Sequence, residues 1–96
     1  MNPLTPVVHL NGTSGKELLF GWINLLDALD ESMRKALALE LNARDYYPRS
    51  PDAFREALKI FGQHAAALRA FRDAAEQVAD ELDRVIAERD ARKDGR

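Results

Sequence analysis

The sequence contains no cysteine, which excludes a disulfide framework, a thiolate zinc site and a cysteine nucleophile. An excess of charge of one sign is also missing, because 14 Lys and Arg against 16 Asp and Glu give a net charge of −2. This balance provides no overall field that attracts a nucleic-acid backbone, so any anion site has to be local. Metalloprotease, hydrolase and complete P-loop spacings are absent. We therefore expect neither an enzyme nor a metal or cofactor site.

Long apolar runs are missing as well, since none approaches the ~20 uncharged residues that span a membrane. The beginning of the chain, MNPLTPVVHLNG, lacks the basic start and apolar core of a secretory signal. The 46% of apolar and 31% of charged residues are typical of a globular protein, and 96 residues correspond to one domain. The sequence thus predicts a single cytoplasmic domain without a membrane partner.

The first 41 residues of the chain are predicted to form an extended arm followed by a helix. Two prolines prevent helix formation near the start, so residues 1–13 form the predicted arm. Ser14 and Glu17 have the spacing of a capping box, which satisfies free backbone N–H groups at a helix start. Apolar side chains then recur at intervals of three and four and predict helix one over residues 14–41.

The second half of the chain is predicted to be a longer helix. Residues 42–50 interrupt the apolar period and contain Asn, Asp and Pro, which indicates a turn. Ser50 as the cap and Pro51 at the first helical position predict helix two over residues 51–91. The charged residues 92–96 are expected to form a frayed tail. His64 lies on the apolar seam of this helix, where an imidazole that is buried against and bonded to a neighbouring chain is expected.

The unequal lengths of the two predicted helices, ~40 Å and ~60 Å, have a consequence for assembly. An antiparallel hairpin would leave ~20 Å of helix two as an overhang, and two helices alone enclose little core. The overhang would carry Val78, Leu82, Val85 and Ile86. We therefore predict an all-α fold, a long antiparallel two-helix hairpin with an extended N-terminal arm, assembled as a homo-oligomeric helical bundle. The alternative is a monomer whose arm folds back over the overhang.

One candidate ligand site is the polar segment that leads into helix one. Free N–H groups and the positive end of a helix dipole favour phosphate or carboxylate there, and glycines let a ligand approach the backbone. The residues proposed for this site are His9, Asn11, Gly12, Thr13, Ser14 and Lys16. The alternative is that these side chains only turn the chain and cap the helix.

The second candidate site is the turn between the helices, where Tyr46 and Tyr47 are flanked by Arg44 and Arg49. Tyrosine rings stack on bases, and guanidinium groups bind phosphate in a bidentate way. The alternative is that the tyrosines plug the open end of the hairpin while Arg44 pairs with Asp45. The two sites lie ~40 Å apart, so a head-to-tail dimer with two-fold symmetry would be needed to bring them together.

With HLNGTS before one helix and RDYYP at the turn into a second, the chain resembles small proteins encoded in phages and prophages. In size, lack of catalytic groups and expected oligomerisation it also resembles, in design and without a residue-level match, the phage sponge proteins that sequester nucleotide second messengers of anti-phage systems such as CBASS and Thoeris. This resemblance implies a protein of the host cytoplasm that sequesters a cyclic nucleotide. Phosphate would bind at Asn11, Thr13, Ser14 and Lys16, and His9 would donate to a ribose or phosphate. A base would stack on Tyr46 or Tyr47, and Arg44 or Arg49 would add charge.

Two other functions remain open from the sequence. A protein that inhibits a host complex, or acts as an adaptor for it, would bind through the wide apolar face of helix one or the acidic face of helix two. A structural assembly protein would instead form larger assemblies as its concentration rises. The net charge of −2 disfavours nucleic acid as a partner.

Overall fold

The computed structural model describes residues 2–9 and 12–94, and within these ranges the chain is helical and contains no strand. Helix α1 comprises Gly15–Ala38, a short 3-10 helix comprises Ala43–Asp45, and helix α2 comprises Ala53–Asp94. The two long helices pack along each other in opposite directions. The predicted all-α, hairpin-like fold is therefore confirmed.

Helix α1 starts with the serine half of the predicted capping box and ends earlier than its apolar period. The backbone N–H of Glu17 donates to Ser14 Oγ at 3.2 Å, which satisfies one of the free donors of the first turn. The helix ends at Ala38 rather than at residue 41, because Leu39 adopts an extended conformation with φ −76° and ψ 119°. Its N–H still bonds to the carbonyl groups of Lys35 and Ala36 and closes the last turn.

Helix α2 begins two residues later than predicted and extends further. Ser50 O accepts the N–H of Ala53 at 3.3 Å in a turn, and α-helical bonding starts where Asp52 O accepts the N–H of Glu56 at 3.0 Å. Pro51 therefore belongs to the turn and not to the first helical turn. The helix continues through Asp94, so the described part of the predicted tail, residues 92–94, is helical.

The core of the molecule lies in the second half of α2. Val78 and Leu82 have no solvent-exposed surface, and Leu29 of α1 is 8% exposed. The other buried apolar residues are Ala53, Ala75 and Ala79. Because burial of apolar side chains is the main stabilising contribution in a small domain, this half of the hairpin provides most of its stability.

The N-terminal arm runs along the second half of α2 and is hydrogen-bonded to Glu81. The backbone N–H of Asn2 donates to the Glu81 carboxylate at 3.0 Å, and the Thr5 hydroxyl donates to the same carboxylate. The Asn2 side chain donates to Gln77 Oε1 at 3.0 Å. The hydrogen bond from Thr5, followed by that from the Asn2 backbone, lowers the pKa of Glu81 below its ordinary value. The arm thus forms a third layer over the core.

The overlap of the helices corrects the predicted overhang. Gly15 lies against Ile86, and Asp30 pairs with Arg72, so α1 covers α2 from about residue 64 to about residue 87. The uncovered part of α2 is its beginning, beside which the connection 39–52 runs. The predicted overhang is wrong, because the connection 39–52 is longer than the predicted turn 42–50 and α1 therefore starts beside Ile86. The arm lies over this end of α2.

The resulting molecule is long and thin, with extents of 71 × 22 × 20 Å. Its accessible surface of 7470 Å² exceeds the ~5,500 Å² expected for a compact monomer of this mass. Large apolar side chains that remain exposed are Leu4, Val7, Phe20, Leu37, Leu39, Tyr47, Leu58, Ile60 and Phe71. Neither of the described long helices has an apolar stretch that could cross a bilayer.

Candidate functional site

A cleft of about 440 Å³, here called the arm cleft, lies where the arm, the start of α1 and the end of α2 meet. It is lined by Val8, His9, Gly12, Ser14, Gly15, Lys16, Ile86, Arg89 and Asp90. Four of the six residues predicted for the first site, His9, Gly12, Ser14 and Lys16, are thus brought together. Thr13 is exposed and does not line the cleft, and Asn11 lies outside the described residues.

The loop before α1 holds the His9 imidazole against the backbone of Gly12. The Gly12 N–H donates to the carbonyl of His9 at 3.3 Å, which closes a turn. A Cβ at Gly12 would lie 2.7 Å from His9 Nε2, closer than side-chain atoms approach each other. A side chain at this position would therefore displace the imidazole from its place beside the cleft. The sequence motif predicts a glycine for close approach, but the neighbour is the protein's own histidine.

The first turn of α1 presents backbone donors to the arm cleft. Ser14 Oγ accepts the N–H of Glu17, while the N–H groups of Gly15 and Lys16 have no acceptor among residues 2–9 and 12–94. A Cβ at Gly15 would lie 3.1 Å from Cγ1 of Ile86, so this glycine lets α1 begin close to α2. Free N–H groups and the helix dipole make this turn favourable for an anion.

Arg89 is a cationic residue of the arm cleft that the sequence analysis did not assign to a ligand site. Its Nη1 donates to the carbonyl oxygen of Val8 at 3.4 Å, which joins the end of α2 to the arm. The guanidinium and the Lys16 ammonium line the same cleft, with Asp90 as the carboxylate among the lining residues. The sequence places Arg89 near the end of predicted helix two, and only the observed register of the two helices brings it beside the start of α1.

A second cleft, of about 330 Å³ and here called the turn cleft, lies between the connection and the beginning of α2. It is lined by Leu41, Tyr46, Arg49, Ala53, Glu56, Ala57, Ile60, Phe61 and His64. Tyr46 and Arg49 were predicted for the second site, whereas Arg44 and Tyr47 do not line the cleft. His64 is exposed in the single chain and borders this cleft.

The two tyrosines have different environments. The Tyr46 ring is half-buried and packs on Phe54, with ring centroids 6.1 Å apart and planes inclined by 45°. Tyr47 is 65% exposed and leaves its ring available to a ligand or partner. Arg44 and Asp45, both within the described residues, form no ion pair. The alternative in which the tyrosines close the open end of the hairpin therefore applies to Tyr46 alone.

A third surface cleft, of about 450 Å³, contains a charged cluster at the centre of the hairpin. Arg72 Nε donates to Asp30 Oδ1 at 2.7 Å across the helices, and Arg72 Nη2 lies 2.6 Å from Glu76 Oε2. Asp30, followed by Asp73, raises the pKa of Arg72 above its ordinary value. Because these carboxylates compensate the charge of Arg72, the cluster joins the two helices by ion pairing.

The arm cleft and the turn cleft lie at opposite ends of the molecule. The first is beside residues 86–90 of α2 and the second beside residues 53–64, which corresponds to a separation of ~44 Å along the helix. One chain therefore cannot use both clefts for one small ligand, as the sequence predicted. Within the part of the chain that the structure describes, no group of three or more His, Asp or Glu is placed to hold a metal ion. No protein-family model, curated protein or solved structure matches this chain.

Proposed function

We propose that this chain is a non-catalytic binding protein that sequesters a small phosphate-bearing ligand, such as a cyclic nucleotide. The observation that supports the proposal is the composition of the arm cleft, where Lys16, Arg89 and His9 line the same space as the first turn of α1. A helix start attracts an anion weakly by itself, and two cationic side chains beside it add charge-assisted hydrogen bonds.

Each group around the arm cleft has a distinct role in this proposal. A phosphate accepts hydrogen bonds from the N–H groups of Gly15 and Lys16, and the Lys16 ammonium and Arg89 guanidinium compensate its charge. The His9 imidazole, fixed against Gly12, donates to a second phosphate or a ribose hydroxyl. The volume of about 440 Å³ lies within the range of small-ligand sites. Binding without turnover follows from a set of donors that includes no activated nucleophile.

The proposed protein is a homo-oligomer in which two clefts of different copies form one ligand site. The midpoint between the arm cleft and the turn cleft is near Asp73, and the midpoint of α2, residues 53–94, is also there. An antiparallel two-fold dimer that overlaps along its full length therefore brings the arm cleft of one copy beside the turn cleft of the other. Tyr47 then stacks on a base held by the partner, and Arg44 and Arg49 add charge.

The resemblance to phage-encoded proteins suggests the biological context of this binding. In that context the protein acts in the cytoplasm of the host cell, and its ligand is a cyclic nucleotide that signals infection. Sequestration needs no catalytic turnover, and preformed sites between copies reduce the ordering cost that weakens binding.

Native mass spectrometry with cyclic dinucleotides, cyclic trinucleotides and cyclised ADP-ribose compounds tests the proposal. We expect one of these compounds to be retained in stoichiometric amount, and Lys16→Ala and Arg89→Ala to weaken its binding by about 10- to 100-fold each. Lys59→Ala is the matched control, because Lys59 is exposed on α2 and lines neither cleft. Unchanged affinity of the Lys16 and Arg89 variants would contradict the assignment of the site.

The second candidate function is that of an inhibitor or adaptor that binds a host protein. It is favoured by exposed aromatic and aliphatic side chains on both helices, among them Phe20 at 63% and Leu37 at 74% exposure. A protein of this kind tolerates loss of Lys16 and Arg89 and fails when an exposed apolar side chain is replaced. A structural assembly protein differs from both in forming larger assemblies as its concentration increases.

A further inference from the structure

One apolar seam of α2 is covered along half of its length only. Ile60, His64, Ala67, Phe71, Ala74 and Val78 follow one another at alternating intervals of four and three residues, which places them on one face of the helix. The arm lies over the continuation of this face, where it is bonded to Gln77, Glu81 and Arg89. The first half of the seam has no such cover, since Ile60 is 53% and Phe71 47% exposed.

The arm itself has two apolar sides. One side closes the core, in which Val78 and Leu82 have no exposed surface. The other side carries Leu4 and Val7, which are 51% and 77% exposed. Because the arm is bonded to Gln77, Glu81 and Arg89 beside the continuation of the seam, we infer that these two exposed side chains share a face of the molecule with Phe71. This face is therefore raised where the arm covers it and recessed where the seam is open.

A second copy of the chain fits such a face. An antiparallel copy related by a two-fold axis near Asp73 places its raised half over the recessed half of the first copy, and the reverse. In this register Ile60 lies opposite the part of the partner near residue 86, where the arm passes with Val7. The centre of the contact consists of Phe71 and the small side chains Ala67, Ala70 and Ala74, so a large ring meets a surface of alanines.

The charges and the surface area of the chain agree with self-association. The seam positions Ala67, Phe71, Ala74 and Val78 carry no charge, and Arg72, Asp73 and Glu76 lie at other angles around the helix, so few like charges face each other near the axis. The chain exposes roughly 2,000 Å² more surface than a compact monomer of its mass, from 7470 Å² against ~5,500 Å². A stable interface needs about 800 Å² per partner, which is less than this excess over the whole chain.

We propose that the open half of the α2 seam and the outer side of the arm form the contact surface of an antiparallel two-fold dimer. This inference rests on the homo-oligomer of the proposed function and names its interface. Each arm then closes the core of its own chain on one side and covers Ile60 of the other chain on its outer side, while Phe71 packs near the two-fold axis.

Phe71→Glu tests the surface, with Phe20→Glu as the matched control. Both phenylalanines are exposed, but Phe20 lies on α1 at a position opposite the buried Leu29. In sedimentation equilibrium we expect a dissociation constant at least about 100-fold higher for Phe71→Glu than for the wild type, because two buried rings are lost by symmetry. Phe20→Glu is expected to remain a dimer. Circular dichroism of both variants is the control, and it is expected to show unchanged helical content.

A cysteine pair tests the register, since the chain has no cysteine of its own. Val7→Cys combined with Ile60→Cys cannot form a disulfide within one chain, because Val7 lies near residue 86 and thus ~39 Å from Ile60. Oxidation is expected to give a covalent dimer, whereas Ile60→Cys with Phe20→Cys stays unlinked. Failure of the first pair to cross-link would overturn the antiparallel register.

The remaining outcomes separate this inference from the proposal on which it rests. A wild-type chain that is monomeric at all concentrations overturns the dimer and its interface together, and leaves ligand binding at Lys16 to its own test. A wild-type dimer that persists in Phe71→Glu, or dissociates equally in Phe20→Glu, overturns the assigned surface and leaves self-association standing.

Discussion

Leu82→Ala is the substitution that most directly tests where the core lies. Leu82 has no exposed surface and is among the largest fully buried side chains, together with Val78. It lies on the part of α2 that the sequence predicted to be an uncovered overhang. A cavity at this position would be enclosed by α1 on one side and by the arm on the other, so it has little room to collapse.

The expected cost of Leu82→Ala is ~2–5 kcal/mol in the free energy of unfolding, from the lost transfer of the side chain and the cavity left behind. The total stability expected for 96 residues is roughly 5–14 kcal/mol. A loss of about 3 kcal/mol lowers the melting temperature by ~12–24 °C in a domain of this size. The change is therefore a large fraction of the stability and is measured easily.

Thermal and urea unfolding followed by far-UV circular dichroism provides the measurement, at one fixed protein concentration because self-association affects the midpoint. Leu58→Ala is the matched control, since it is the same substitution in the same helix at a side chain that is 47% exposed. We expect the control to cost less than about 1 kcal/mol. Equal costs for the two variants would refute a core beneath the arm, and a larger cost for Leu58→Ala would place the core at the other end of α2.

Two further predictions concern the arm and the loop before α1. Hydrogen bonding from Thr5 lowers the pKa of Glu81, so this carboxylate contributes stability that is present above its ordinary pKa of 4.5 and is lost as the pH falls through the lowered value. In Glu81→Gln the urea midpoint is expected to depend less on pH in this range than in the wild type. An equal pH dependence of the two midpoints would contradict a contribution of Glu81. Gly12→Ala is expected to displace the imidazole, because the new Cβ would lie 2.7 Å from His9 Nε2. The His9 ring signals in an NMR spectrum should shift while the helical content stays constant, and unshifted signals would show that the loop is more open.

The helices were predictable because their determinants are local. The apolar period is visible in the sequence, and Ser14 accepts the N–H of Glu17 three residues later, as the capping pattern predicts. The ends of the connection were not predictable in the same way. Leu39 has the same apolar character as the helix before it, and a proline after a serine is compatible with a helix start or with a turn. The extended connection that results sets the register of the whole hairpin.

The same distinction between local and distant determinants applies to the candidate sites. His9, Gly12, Ser14 and Lys16 line one cleft because they are close together in the chain, so a short motif is sufficient to find them. Arg89 comes from the other end of the sequence and reaches this cleft only through the register of α1 against α2. The difference between Tyr46 and Tyr47 also depends on packing, because one ring meets Phe54 and the other does not.

The arm connects the two proposals, because its residues take part in both. Val8 and His9 line the arm cleft, while Leu4 and Val7 lie on the surface proposed for the second copy. An arm that is already fixed by a partner loses less conformational entropy when an anion binds beside it, and a bound anion fixes the arm for the partner. Because linkage between two binding equilibria is reciprocal, ligand binding and dimerisation then strengthen each other by the same factor. Through the arm, dimerisation would slow the release of the ligand, so the proposed sequestering protein would hold its ligand most tightly as a dimer.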